Sequence, residues 1–156
     1  MIEIKCDTGE CVSIEGDSLI GACLDGFDLH RAMLDHQDLS DASFRQTNLR
    51  SASLEGATLQ RCCLENTRLY GVWAKKASFR EASCRGAKMN CANLSEAIFI
   101  GADLSLADFS QANLRGTNFT GAVTNGAIFQ DAIFDSETVW PEDFDPQQSG
   151  AKQMCL

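Results

Sequence analysis

Large apolar residues recur at every fifth position from Leu19 to Phe134. The register holds 24 centres without a slip: 13 Leu, seven Phe, and single Ala74, Cys84, Met89 and Thr124. Two residues before each centre the side chain is mostly small, Ala in 16 of the 24 cases. Five fits neither standard element. In a helix each step of five advances about 500°, so successive centres would scatter around the axis. In a flat strand an odd step alternates between faces. The small residue and the centre are two apart, however, and share one side of a short extended segment. Bringing the next pair to the same interior requires a turn after each centre. Turns repeated in one sense wind a solenoid around a thin apolar axis. Crowding beside each turn accounts for the small residue.

The repeats Ala92-Asn93-Leu94-Ser95-Glu96, Ala102-Asp103-Leu104-Ser105-Leu106, Ala107-Asp108-Phe109-Ser110-Gln111 and Ala112-Asn113-Leu114-Arg115-Gly116 follow the pattern A-(D/N)-(L/F)-x-x. In this the chain resembles the pentapeptide repeat family over roughly residues 12–136. The resemblance implies an all-β fold, a right-handed quadrilateral β-helix with four pentapeptides per coil. Twenty-four repeats then make about six coils, a rod about 29 Å long at about 4.8 Å per stacked strand. The expected organisation is one domain over 1–156: an N-terminal cap at 1–14, repeats over 15–136, and a C-terminal cap and tail at 137–156.

Several positions depart from the pattern. Ile2, Ile4, Val12 and Ile14 around Asp7-Thr8-Gly9-Glu10 predict a β-hairpin that closes the first coil. Asp17, Phe27 and Gln37 stand where Ala is expected, so the chain starts irregularly. Ala74 is a small residue in a large column, between Leu54 and Leu94. Its neighbour Trp73 is expected to tuck inward through a local bulge that relieves the void; an exposed Trp73 is the other reading. Ser105 reads as a solvated position that would accept Asp silently. Beyond Ser136 the repeat ends, and Trp140 and Phe144 are expected to form a lid. Val123, Ile128 and Ile133 either receive that tail or form a dimer surface. Met154, Cys155 and Leu156 are expected to be loose.

Charge is segregated along the chain. The net charge is −9. Residues 1–41 carry ten acids against Lys5 and Arg31, a net −8; residues 42–93 carry three acids against nine bases, a net +6; residues 94–156 carry nine acids against Arg115 and Lys152, a net −7. A basic waist therefore separates acidic ends. With residues 20 apart stacked, Asp25, Arg45, Glu65 and Arg85 form one ladder of alternating charge, and Asp41, Arg61 and Glu81 another. The remaining bases, Arg50, Arg68, Lys75, Lys76, Arg80 and Lys88, are expected to spread over several faces, which argues against a dedicated phosphate groove.

Eight cysteines do not form a disulfide framework by spacing. Cys62 falls on a small position and Cys84 on a centre, so both point inward; Cys23 and Cys63 precede centres and point out. Cys6 and Cys11 leave two readings, a cross-strand disulfide or two thiols, and a reducing compartment favours thiols. No metal motif is present, and no cofactor is implied. His30 and His36, the two histidines, fall on outward positions. No nucleophile, phosphate-loop or metalloprotease motif occurs, and a solenoid with a filled axis lacks a deep pocket. An enzyme is not expected. The N-terminus lacks the features of a secretory signal and no apolar run reaches membrane-spanning length, so the expected compartment is the cytoplasm, with no membrane contact.

The function these features point to is a non-catalytic scaffold, a protein–protein interaction module for another protein. The candidate surface is Tyr70, Trp73, Lys75, Lys76 and Arg80, or Ile98, Ile100 and Leu106. Some members of the family resemble duplex DNA and bind DNA gyrase, so a DNA-mimic gyrase modulator is one alternative; the basic waist interrupts the acidic track it would need. A structural rod assembling through its ends is the other alternative. Direct nucleic-acid binding is not expected, and monomer and dimer both remain open.

Overall fold

The computed structural model describes residues 1–155. The pairing register is the main fact of the fold. Residues 20 apart form parallel bridges along the chain, from Cys23 with Ser43 to Asn113 with Ile133. Each interior bridge is held by two backbone hydrogen bonds. The N–H of Leu54 donates to the carbonyl of Trp73 (2.7 Å), and the N–H of Trp73 donates to the carbonyl of Ala52 (2.9 Å). The chain is thus a β-helix solenoid with four extended segments per 20-residue coil. Four faces result. Their inner columns are Leu19, Leu39, Leu59, Phe79, Phe99, Phe119 (face 1); Leu24, Phe44, Leu64, Cys84, Leu104, Thr124 (face 2); Leu29, Leu49, Leu69, Met89, Phe109, Phe129 (face 3); and Leu34, Leu54, Ala74, Leu94, Leu114, Phe134 (face 4).

Every corner is a tight turn. The residue two after one centre is the small residue's predecessor, and the small residue donates its N–H back to the centre's carbonyl, as Ala52 does to Leu49 (3.1 Å). The third residue of each turn has positive φ, whether Gly56 (63°) or Gln46 (57°). That is the type II geometry. Non-Gly residues tolerate it at a cost of about 1–2 kcal/mol each, and this chain has many of them, among them Lys76, Glu81 and Leu106. At Gly56 the missing side chain also leaves room for a neighbour. A Cβ there would lie 2.5 Å from Nδ1 of His36, which folds over it from the coil below.

The axis is filled with apolar side chains. Most Leu and Phe centres are fully buried. Four buried small positions carry a polar side chain in place of Ala, and each is satisfied by a hydrogen bond. Hydroxyls of Thr47, Thr67 and Thr117 donate to the carbonyls of Leu24 (2.7 Å), Phe44 (2.6 Å) and Leu94 (2.8 Å), and the Cys62 thiol donates to that of Leu39 (2.9 Å). Each acceptor lies 23 residues earlier, so one geometric rule covers all four. Toward the C-terminus the core turns aromatic. Phe79 stacks on Phe99 (4.6 Å between centroids, 2°), Phe99 on Phe119 (5.4 Å), and Phe119 on Trp140 (5.0 Å, 12°).

The expected bulge at Trp73 is absent. Trp73 keeps its place between Ser53 and Asn93 in the parallel ladder and is 61% exposed. The physical reason lies next door. Val72 occupies the small position where Ala is usual, and it is fully buried beside Ala74. The volume Ala74 gives up is restored by Val72, as volume-conserving exchanges are tolerated in cores. Ser105 also departs from expectation. It is buried, and its hydroxyl donates to Asp103 Oδ1 (2.6 Å), so a carboxylate there would face another carboxylate.

The ends are covered on some faces and open on others. β1 (Ile2–Lys5) and β2 (Cys11–Ile14) form an antiparallel hairpin. It crosses face 4 of the first coil, where Cys6 pairs antiparallel with Ala32 and the N–H of Met33 donates to the Lys5 carbonyl (2.8 Å). Alternation in the hairpin puts Cys6 inside and Cys11 outside; both are free thiols. Phe27 takes no interior place at its irregular position and is 36% exposed. At the other end, β3 (Ile133–Phe134) pairs with β4 (Lys152–Gln153) in parallel, and Val139 pairs with Asn118. The tail therefore lies on faces 4 and 1. Val123 and Ile128, on faces 2 and 3, stay 45% and 47% exposed: of the three residues available to receive the tail, only Ile133 pairs with it. Met154 is tied by its N–H to the Phe134 carbonyl (2.8 Å); the expectation for Leu156 lies outside the described residues.

Candidate functional site

Outward positions on each face are the residue before a centre and the residue after it. Trp73 and Met33 are both such residues on face 4, two coils apart, with Ser53 between them. The small Ser51 and Ser53 leave a depression of about 590 Å³ walled by Met33 and Trp73 and edged by Asp7, His30, Arg31 and Asp35. Arg31 of the first coil and Asp7 of the hairpin turn form an ion pair. The Asp35 carboxylate is occupied locally, accepting from the Ser53 hydroxyl and from the N–H of Glu55 (2.8 Å). On the other side of Trp73 a smaller hollow of about 260 Å³ is lined by Gly71, Cys91, Asn93 and Gln111. The indole thus stands as a ridge between two shallow depressions. The geometry suits contact and offers no enclosed reaction chamber.

The other candidate residues do not gather around Trp73. Tyr70 is exposed on face 3, with the Arg50 guanidinium 5.7 Å from its ring centroid. Lys75 shares face 4 with Trp73, as the outward residue after Ala74, and Lys76 starts the corner to face 1; both are turned to Glu96 (3.5 and 3.7 Å). Arg80, Ile98 and Ile100 are outward on face 1, where the two isoleucines are half-buried. Leu106 is at the corner between faces 2 and 3, 60% exposed, lying over Gly126. The eight candidates therefore distribute over several sides of the rod. Sequence spacing places each one correctly as an outward residue, but spacing alone does not reveal long side chains reaching diagonally to a neighbour such as Glu96.

The charge ladders resolve into discrete pairs. Arg61 makes a two-pronged contact with Asp41 (2.7 and 2.8 Å), and that hydrogen bond holds the Asp41 carboxyl below the usual carboxylate range. Arg45 reaches Glu65 (3.4 Å), and Arg85 turns to Asp103 (3.3 Å). Asp25 accepts the backbone N–H of Arg45 (2.8 Å) in place of a guanidinium. Of the six bases outside the predicted ladders, Arg50, Arg68 and Lys88 share face 3, in three successive coils; Arg68 and Lys88 stack directly. The six bases spread over several faces, as expected, with three of them sharing one. Burial pushes the Cys62 thiol up to about 12 and pushes the Cys84 thiol up as well, so neither is a reactive thiolate. His30 and His36 are both exposed; the backbone N–H of His30 donates to Asp28 (3.1 Å). Among the described residues no group of three or more His, Cys, Asp or Glu side chains is placed to hold a metal ion, and no helix is long and apolar enough to cross a membrane.

No curated protein matches the chain. Among solved structures it is similar to alr5209, a pentapeptide repeat protein from Nostoc PCC 7120, with 30% identity over 69% of this chain and 84% of that one and a TM-score of 0.42. It is also similar to a trypsin-treated variant of QnrB1, a plasmid-mediated fluoroquinolone resistance protein, with 20% identity over 90% of this chain and 88% of that one and a TM-score of 0.53; that likeness is one of fold. The model of pentapeptide repeats matches eight copies over residues 38–72, 77–116 and 112–136. With more than half its length matched, the unbroken five-residue register and the 20-residue ladder have one family explanation: the chain belongs to the pentapeptide repeat family.

Proposed function

We propose that this rod is a non-catalytic scaffold, a protein–protein interaction module that engages another protein through Trp73. The whole chain acts as one domain, about six coils closed by the hairpin and the tail. One observation carries the reading: a large aromatic is held 61% exposed on a backbone that shows no distortion at that point. A Trp of this kind lowers solubility unless it is covered in use, and Trp residues dominate contact energies where they are covered. The depressions on either side supply room for partner side chains, and Met33 adds a second apolar contact. The eight thiols, all free, fit action in the reducing cytoplasm. A gyrase-directed DNA mimic needs a continuous acidic surface, whereas the middle coils of this rod carry their net +6 outward.

The test is affinity capture from native lysate with the full chain and with its Trp73→Ala variant as parallel baits. The expected outcome is a partner held by the wild type and reduced at least about tenfold by the substitution, in line with the loss of about 2 kcal/mol or more at an aromatic anchor. Recovery of the bait alone would remove the scaffold reading.

A further inference from the structure

The ion pairs of this molecule are unevenly distributed. Arg31, Arg45, Arg61, Lys75, Lys76, Arg85 and Lys152 each have a carboxylate within reach. Lys5, Arg80 and Arg115 make no ion pair among the described residues, but they stand apart from one another, in the hairpin and on faces 1 and 4; face 3 gathers three such bases. Arg50, Arg68 and Lys88 project from three successive coils there, all exposed, and none makes an ion pair among the described residues. Two acids bound the face, Asp28 below and Asp108 above, and both are turned to their own surroundings. Asp28 accepts from Asn48 Nδ2 (2.8 Å) and the N–H of His30 (3.1 Å). Asp108 accepts from the N–H and hydroxyl of Ser110 (2.9 and 2.6 Å). In a chain of net charge −9, with carboxylates in excess, three neighbouring cations remain without one.

We infer that face 3 docks an acidic, extended segment of another protein, with its carboxylates on Arg50, Arg68 and Lys88 and an apolar side chain against Tyr70. Coils are spaced about 4.8 Å apart, so the three cations span about 10 Å along the axis. Carboxylates on alternate residues of an extended segment are about 6.8 Å apart, within the play of Arg and Lys side chains. Tyr70 lies between these cations with its ring centroid 5.7 Å from the Arg50 guanidinium and gives the cation-bearing coils their exposed large apolar contact. Arg supplies the two-pronged geometry that suits a carboxylate. Nucleic acid fits less well. Proteins that hold it firmly neutralise about 6–10 phosphates, against three cations here, and the net −8 and net −7 ends of this rod repel a long polyanion. The inference rests on the scaffold reading and adds a second face with a defined chemistry.

The probe is a fluorescein-labelled synthetic peptide, Glu-Ser-Glu-Ser-Glu-Ser-Leu with blocked ends, which when extended carries three carboxylates and the Leu on one side, titrated with the full chain and followed by anisotropy. Binding is expected at about 20 mM salt, weakened at least about fivefold at about 200 mM salt by screening. The combined variant Arg50→Ser, Arg68→Ser, Lys88→Ser should bind at least about tenfold more weakly, and Arg80→Ser on face 1 should bind as the wild type does. If the combined variant melts early, Arg68→Gln alone is expected to lose about threefold. Absence of binding at the lower salt, or equal weakening by Arg80→Ser, would overturn the inference. So would tighter binding of labelled dodecathymidylate that depends on the same three cations, or a concentration-dependent mass that the combined variant abolishes, which would make a second copy the occupant. Failure of the peptide with Trp73-dependent capture intact removes only the acidic occupant; loss of both removes the scaffold reading itself.

Discussion

The two halves of the core solve one packing problem with different side chains. On face 1 the N-terminal coils stack Leu39 on Leu59, while the C-terminal coils stack Phe79, Phe99 and Phe119. The backbone ladder is the same through both, with bonds of 2.7–3.0 Å at Leu59 and Phe99 alike. The register is therefore set by hydrogen-bonded corners and small residues, and the centre only has to be apolar and large. What differs is directionality. Leu contacts are shape-filling dispersion. The Phe rings add preferred geometries, stacked within face 1 and edge-on to face 3, as Phe99 is to Phe109 (5.8 Å, 90°). Aromatics also collect where the rod ends, and Trp140 continues the stack while Phe144 lies against both Phe129 and Trp140. An end has no further coil to bury it, and large rings cover more area per residue.

The strongest way to break this comparison is a charge in the axis. Leu104→Asp places an unpaired carboxylate in a fully buried site and should abolish cooperative melting. Leu106→Asp, two residues on at an exposed corner with positive φ, should melt near the wild-type temperature, since Asp tolerates that conformation better than Leu. Equal melting of the two would contradict the assigned interior. A smaller effect separates the halves directly. Phe99→Ala should cost about 3–5 kcal/mol and Leu59→Ala about 2–5 kcal/mol, with Phe99 the costlier of the two because of its contacts with Phe79, Phe109 and Phe119. Denaturant unfolding measures both, and a larger loss at Leu59 would refute an aromatic contribution. The smallest effect should be blind to the core. Asp41, held low by Arg61, and Asp38, held low by the hydroxyl of Ser40, both have depressed folded values. Their contribution is complete above the unfolded carboxylate value of about 3.9 and is lost as pH falls through the folded values. Melting temperature should hold from about pH 7 to about pH 5 and decline below about pH 4. Asp41→Asn should flatten that decline, and Phe99→Ala and Leu59→Ala should leave its slope unchanged.

The fold was legible because the period is long and unbroken. Leu24, Phe44, Cys62 and Cys84 are inside for the reason the spacing gives. Trp73 was less legible because Ala74, taken alone, conceals the compensating volume of Val72 two residues earlier. Ser105 follows a centre, which by periodicity is a solvated place, and the Asp103 carboxylate that draws it in is a side-chain choice that periodicity does not encode. The face inferred to dock an acidic segment was the least legible part. Arg50 and Lys88 are far apart in sequence, and their shared side emerges only when 20-residue stacking is combined with knowledge of which carboxylates are already engaged. Lys75 and Lys76 look equally free in the sequence and are not.

A ladder that closes every 20 residues quantises how this molecule can change length. Gain or loss of one whole circuit would leave each downstream residue above its former column and merely make the shaft longer or shorter. Gain or loss of a single pentapeptide would preserve the oily interior yet rotate everything beyond it by a quarter turn, carrying Lys88 away from Arg68 without disturbing one buried Leu. Evolution of such a shaft can therefore rewrite what it displays by indexing, like a combination lock, while its mechanical integrity goes untouched.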